Sequence, residues 1–95
     1  MNASTAASQI TIRLPKRLDS FVSPFFAQDL KKKLRPGVTV TIDMARTQFI
    51  EPATASIFWD GILQCHRQGA KMIAKGMNQQ VSLVLERSGL LPHLQ

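Results

Sequence analysis

Three observations predict an α/β fold. Two short runs, Gln9–Leu14 and Val38–Asp43, alternate apolar and polar residues with the period of two that marks a half-buried strand, and Ala70–Ala74 is a third short strand pattern. Longer stretches between and after them space their apolar residues at i, i+3 and i+4, as a helix with one buried stripe requires. Proline and glycine punctuate the joints. The order is therefore strand, helix, strand, helix, strand, helix, and strands joined through helices are expected to lie parallel with right-handed crossovers.

Each element has its own local warrant. Ile10, Ile12 and Leu14 alternate with Thr11 and Arg13, and Pro15 ends the run. Ser23-Pro24 predicts a helix start, serine as cap and proline at the first helical position, where a missing N–H costs nothing. Phe25, Phe26, Leu30 and Leu34 follow at helical spacing until Pro36-Gly37 stops them. Val38, Val40 and Ile42 form the next strand, and a short polar crossing leads to Phe49-Ile50. Glu51 then reads as an end-cap and Pro52 as the first position of a long helix that starts abruptly. On a 3.6-residue period Ala55, Phe58, Trp59, Ile62 and Cys65 or His66 share the core stripe. The other side carries Ala53, Ser56, Ile57, Asp60, Gln64 and Arg67, with Ile57 an apolar exception near the start. Gly69 ends the pattern, Gly76 turns the chain, and Asn78 caps a last helix through Leu85 that buries Val81, Val84 and Leu85. Ser88-Gly89 closes it, Leu90-Leu91 pack back, and Pro92–Gln95 leave no room for another full element.

The 95 residues predict one domain over 9–95, preceded by a loose, small and polar terminus over 1–8. No apolar run approaches the roughly 18 residues of a membrane span, and the start lacks the basic and apolar regions of a secretory signal. A single cysteine excludes an internal disulfide, so a cytoplasmic protein is expected. The net charge of +6 raises nucleic acid as an alternative partner, through Lys31, Lys32, Lys33 and Arg35. These four lie at a predicted helix end, where cations suit the dipole, and no nucleic-acid motif accompanies them. No catalytic signature occurs: the chain lacks a glycine-rich phosphate loop, a G-x-S-x-G elbow and H-E-x-x-H. Cys65 and His66 are helical neighbours pointing about 100° apart, not a converging pair. With two histidines, no metal or cofactor is expected, and Met44, Met72 and Met77 read as packing residues. Asp43 at a strand end and Glu51 at a helix start have structural roles that need no acid–base chemistry.

Several local motifs, taken in order, resemble the STAS domain of bacterial anti-sigma factor antagonists over about residues 9–91. Leu14-Pro15-Lys16-Arg17-Leu18-Asp19 is similar to the family's L-x-G-x-L-D, with Lys16 where glycine is usual, and Val40-Thr41-Ile42-Asp43 to the strand before the signature. Phe49-Ile50-Glu51-Pro52-Ala53-Thr54 falls where the family reads F-x-D-S-S-G; Gly69-Ala70-Lys71-Met72-Ile73 and Leu85-Glu86-Arg87-Ser88-Gly89-Leu90 resemble its G-G-x-x-V and L-x-x-S/T-G-L. The resemblance implies a STAS-like fold, a small mixed sheet with helices, here shortened at both ends so that sheet edges invite homo-oligomerisation or docking.

It also implies a function, with one departure. In the family the first serine of D-S-S-G takes phosphate from a partner kinase that doubles as an anti-sigma factor. Pro52 and Ala53 stand at the two serine positions, and neither has a hydroxyl. The expectation is therefore a non-catalytic, non-phosphorylatable interaction module, with Pro52 marking the lost phosphorylation position and Thr54 an alternative acceptor to be weighed against it. Its partner-binding face is expected at Glu51, Pro52, Ala53, Thr54, Ser56, Ile57, Asp60 and Gln64, with the loop from Arg46. An anti-sigma kinase-like regulator is the implied partner; STAS modules also resemble cytoplasmic subunits of some transporters.

Overall fold

The chain runs β1 (Gln9–Arg13), β2 (Arg17–Leu18), α1 (Ser23–Lys33), β3 (Thr39–Asp43), β4 (Phe49–Ile50), a 3-10 turn (Pro52–Thr54), α2 (Ala55–Arg67), β5 (Lys71–Lys75), α3 (Gln79–Arg87) and a closing 3-10 turn (Leu91–Leu94). These elements come from a computed structural model that describes residues 9–95. The loose terminus expected over 1–8 lies outside the described residues.

The main sheet has the order β1-β3-β5, with Gln9, Thr39 and Lys71 in register at one end and Arg13, Asp43 and Lys75 at the other. Every pair is parallel. Among the described residues there is no antiparallel pair, so the mixed sheet implied by the family resemblance is corrected to a parallel one. The reason is the connectivity: a helix carries the chain back between successive main-sheet strands. In the central strand Val40 and Ile42 are fully buried while Thr39, Thr41 and Asp43 are half-buried, as the alternation predicts.

A second, two-stranded pair has no counterpart in the sequence reading. Arg17 and Leu18 pair with Phe49 and Ile50, and the Arg17 guanidinium lies 4.6 Å from the centre of the Phe49 ring. Two residues are too few to show a period. The free side of β4 is closed by a side chain: the Gln80 amide accepts from the Ile50 N–H at 3.1 Å and donates to the Ile50 carbonyl at 3.2 Å, standing in for a neighbouring peptide unit. Asn78 caps α3 as expected, accepting from the Val81 N–H at 2.8 Å, and also donates to the Thr47 and Gln48 carbonyls.

α1 and α2 pack side by side. Phe26 and Phe58 meet with ring centres 5.3 Å apart, and Gly61 makes the close approach possible. A Cβ at Gly61 would sit 2.6 Å from Leu30 Cδ2 and 2.8 Å from Met72 Cε. Ala55, Phe58 and Cys65 of the predicted stripe are buried, Trp59 and Ile62 half-buried, and His66 exposed.

Two local expectations change. Ser23 is buried inside the first turn of α1 and caps nothing; no side chain caps this helix, and Asp19 instead closes the turn before it, accepting from the Phe21 and Val22 N–H groups. α2 does not start abruptly at Pro52, because the 3-10 turn precedes it and the Glu51 side chain leaves the helix end for the Ser20 N–H. The closing residues pack back on the domain: Leu94 is fully buried and His93 packs on Trp59 with ring centres 5.1 Å apart.

Candidate functional site

The start of α2 is fixed by two carboxylates. Glu51 Oε1 accepts the Ser20 N–H at 3.1 Å, tying the β2–α1 turn to the beginning of the α2 segment. Within that turn Asp19 Oδ1 accepts from the Phe21 and Val22 N–H groups at 3.1 and 3.0 Å. The turn therefore holds a defined shape and displays Phe21, 81% exposed, at its tip. Phe25, in the first turn of α1, is 65% exposed. The sequence reading placed Phe25 with Phe26 on one apolar face, but adjacent helical residues point about 100° apart and Phe26 takes the core. The doublet itself was the available signal: one of its two rings had to face outward.

Between α1 and α2 runs an open groove of about 410 Å³. Pro24, Phe25 and Lys31 line it from α1; Ile57, Asp60 and Gln64 line it from α2. Three of the residues expected on the partner face thus look across one groove at Phe25 and Lys31 of α1, which the sequence reading had not placed on that face. Pro52, Ala53 and Ser56 are exposed at the α2 start, outside the groove.

Two expectations do not survive the geometry. Thr54 is 3% exposed and its hydroxyl donates to the Glu51 carbonyl at 2.7 Å, so it contributes neither surface nor an open acceptor for phosphate. The loop from Arg46 to Glu51 is also less open than expected: Thr47 and Ile50 are buried, Phe49 lies under Arg17, and Arg46 Nε donates to the Leu14 carbonyl. Glu51 itself is half-buried and engaged with Ser20.

The remaining chemistry is sparse. Among the described residues no three His, Cys, Asp or Glu side chains converge as a metal site would require, and no helix is long and apolar enough to cross a membrane. Cys65 is buried, and burial pushes its thiol pKa up, because a thiolate there would lose its hydration. Alkylation by iodoacetamide near neutral pH is expected to be slow in the folded protein and fast in urea; equal rates, followed by mass spectrometry, would contradict this burial.

The family model for the STAS domain matches residues 1–95. The chain belongs to the STAS domain family. Two solved structures share the fold: a sulfate transporter family protein from Wolinella succinogenes (TM-score 0.68, 16% identity, covering 93% of this chain and 72% of that one) and the anti-sigma factor antagonist SpoIIAA in its unphosphorylated form (TM-score 0.65, 18% identity, covering 93% and 78%). A search of curated proteins found no match.

The STAS motif positions mostly serve the fold. Leu14 and Leu18 are core residues, and Asp19 shapes the turn before α1. Asp43 accepts from the Ala45 N–H at 2.9 Å and lies 3.5 Å from Arg13 Nε. Ser88 Oγ donates to the Val84 carbonyl, Gly89 takes φ +73°, and the Leu90 N–H returns to the Leu85 carbonyl, which closes α3.

Proposed function

We propose that this STAS protein is a small non-catalytic interaction module, akin to an anti-sigma factor antagonist, that binds a regulatory protein through the start and outer face of α2 without a serine phosphorylation switch. The observation that carries the reading is the α2 start. Pro52 and Ala53 occupy its exposed positions without a hydroxyl, while the Thr54 hydroxyl is buried and hydrogen-bonded. A phosphate would add about −2 charge and break a close-fitting contact, and the family's switch works on that principle. With no hydroxyl at Pro52 or Ala53, the surface at the family's two serine positions stays in its unmodified form; the exposed Ser56 hydroxyl lies further along α2. The partner is a kinase-like anti-sigma factor or a comparable cytoplasmic regulator, met through Pro52, Ala53, Ser56, Ile57, Asp60 and Gln64. A second reading, a STAS subunit of a transport complex, draws on the fold shared with the sulfate transporter family protein and would use the same face.

Ile57→Arg tests the face. Ile57 is half-buried at the groove wall, so an arginine there can run its aliphatic stem along the wall and keep the guanidinium in water. The fold should persist, with an unchanged circular dichroism spectrum. An interface centred on this residue should lose about 2 kcal/mol or more, roughly thirtyfold in affinity. The readout is affinity capture from the native host with wild-type and variant baits, with and without nuclease. A protein retained only by wild type and indifferent to nuclease supports the reading. Matching baits would remove α2 from the interface, and material lost on nuclease treatment would assign the charge to nucleic acid instead.

A further inference from the structure

The groove between α1 and α2 does not end in neutral surface. Its Lys31 end opens onto a pole where the fold gathers cations that are far apart in sequence. Lys31, Lys32 and Arg35 come from the end of α1 and the turn after it. The Gly37 N–H donates to the Gln68 carbonyl and the Lys71 N–H to the Val38 carbonyl, so Arg67 and Lys71 reach the same pole from the α2–β5 turn. All five are exposed. Residues 30–42 and 61–75 contain no Asp or Glu. The nearest carboxylate along α1, Asp29, is 3.3 Å from Lys33 Nζ and already paired. Helix dipoles account for cations in the last turns of α1 and α2, but not for Arg35 or Lys71, which lie beyond those helices.

Resting on the α2-face reading above, we infer that the groove receives an amphipathic acidic helix of the partner protein. One apolar side chain seats between Phe25 and Ile57, and carboxylates about two helical turns further on lie over Lys31 and Lys32. The spacing follows from α1 itself: six to seven residues separate Phe25 from Lys31 and Lys32, about 10 Å at the helical rise. Asp60, on the facing wall, places a neutral or basic residue between the anchor and the acids. This is the helix-in-groove mode, with the anchor supplying affinity and the charges supplying register and on-rate.

The shape and chemistry select this occupant over other anions. A bilayer meets a protein on a flat or convex surface, whereas the apolar part of this site is concave. A nucleic-acid duplex matches the cations with its backbone but keeps its bases stacked inside, leaving no apolar group for a pocket walled by Pro24, Phe25, Leu30 and Ile57; an unpaired strand is the case that the oligonucleotide competition below tests. A polypeptide helix offers both at the required separation.

The test is selection from a phage-displayed library of random 18-residue peptides on the wild-type protein, followed by affinities of the enriched peptides made synthetically. Enriched peptides are expected to carry an aromatic or leucine anchor with Asp or Glu six to eight residues away. Their Kd should rise at least tenfold with Phe25→Ser, a change at an exposed position that spares the core, and at least fivefold with the double variant Lys31→Glu/Lys32→Glu. It should also rise with salt, since the charges are solvent-exposed. A 20-nucleotide single strand should not displace them. Peptides that need Ile57 and Phe25 but ignore Lys31→Glu/Lys32→Glu, or that carry no acids, overturn the acidic-helix inference and leave the α2 face standing. Displacement by the oligonucleotide, or no enrichment over a panning on Ile57→Arg, also overturns it. If instead the native partner ignores Ile57→Arg in the capture experiment, it is the α2-face reading that fails.

Discussion

Phe58→Ala is expected to destabilise the protein by about 3–5 kcal/mol, the range for removing a fully buried phenylalanine from a core that cannot collapse around the void. Phe58 has no exposed surface, and its ring meets Phe26 across the α1–α2 contact. The loss therefore falls on the joint that forms the groove. A small domain holds only about 5–15 kcal/mol in total, so the variant should sit close to the unfolding threshold. Urea denaturation followed by circular dichroism gives the number. A loss below about 1.5 kcal/mol would mean that α1 and α2 do not depend on this ring.

Gly76→Ala should cost about 2–5 kcal/mol, for two separable reasons. Gly76 takes φ +79°, a left-handed conformation that costs an L-residue about 1–2 kcal/mol. A Cβ there would also lie 2.9 Å from both Cα and N of Ala45, backbone atoms that cannot rotate away, and such overpacking costs about 1–3 kcal/mol. Gly37 separates the two contributions. It takes φ +78° with nothing within 4 Å of its Cβ position, so Gly37→Ala should show the conformational cost alone. Equal losses at the two sites would show that the β5–α3 turn does not press on the Asp43–Arg46 loop.

The contrast between the two Phe residues and the two helix starts shows what was legible in the sequence. Alternation revealed β1 and β3, because a strand with a buried and a wetter face must carry its pattern in order. Asn78 was legible as a cap because its acceptor lies three residues from the donor it serves. Glu51 and Ser23 looked equally local, yet the Glu51 carboxylate serves Ser20, 31 residues away, and Ser23 is buried inside the first turn of α1, which has Val22 at its N-cap and no side-chain cap. Local propensity cannot foresee a competing partner brought in by the tertiary fold. β2 and β4 were hidden for the same reason: their pairing rests on Phe49 under Arg17 and on the Gln80 side chain, contacts that leave no period.

The candidate site was half legible. The helical period separated Ile57, Asp60 and Gln64 from the core stripe, and those three line the groove. The period could not show that α1 would add Phe25 and Lys31 to the same groove, nor that a 3-10 turn would rotate Thr54 inward while leaving Pro52 and Ala53 outside. Tertiary packing decides both. The departure at Pro52 and Ala53, by contrast, is visible in the bare sequence, and the structure adds that both positions are exposed.

The central claim is that the α2 start is a close-fitting contact surface with no phosphate acceptor at the family's serine positions, and Pro52→Glu tests it most directly. Pro52 is exposed, and an acidic side chain at a helix start is favourable for folding, so the change spares the domain. It restores negative charge at the one place where the family resemblance puts phosphate. Binding of the captured partner to wild-type and Pro52→Glu protein should be compared by titration calorimetry, with melting temperatures measured alongside. At least a tenfold loss of affinity with an unchanged or higher Tm is the predicted result. Wild-type affinity in the variant would contradict the account, because a charge would then sit at the α2 start without meeting the partner.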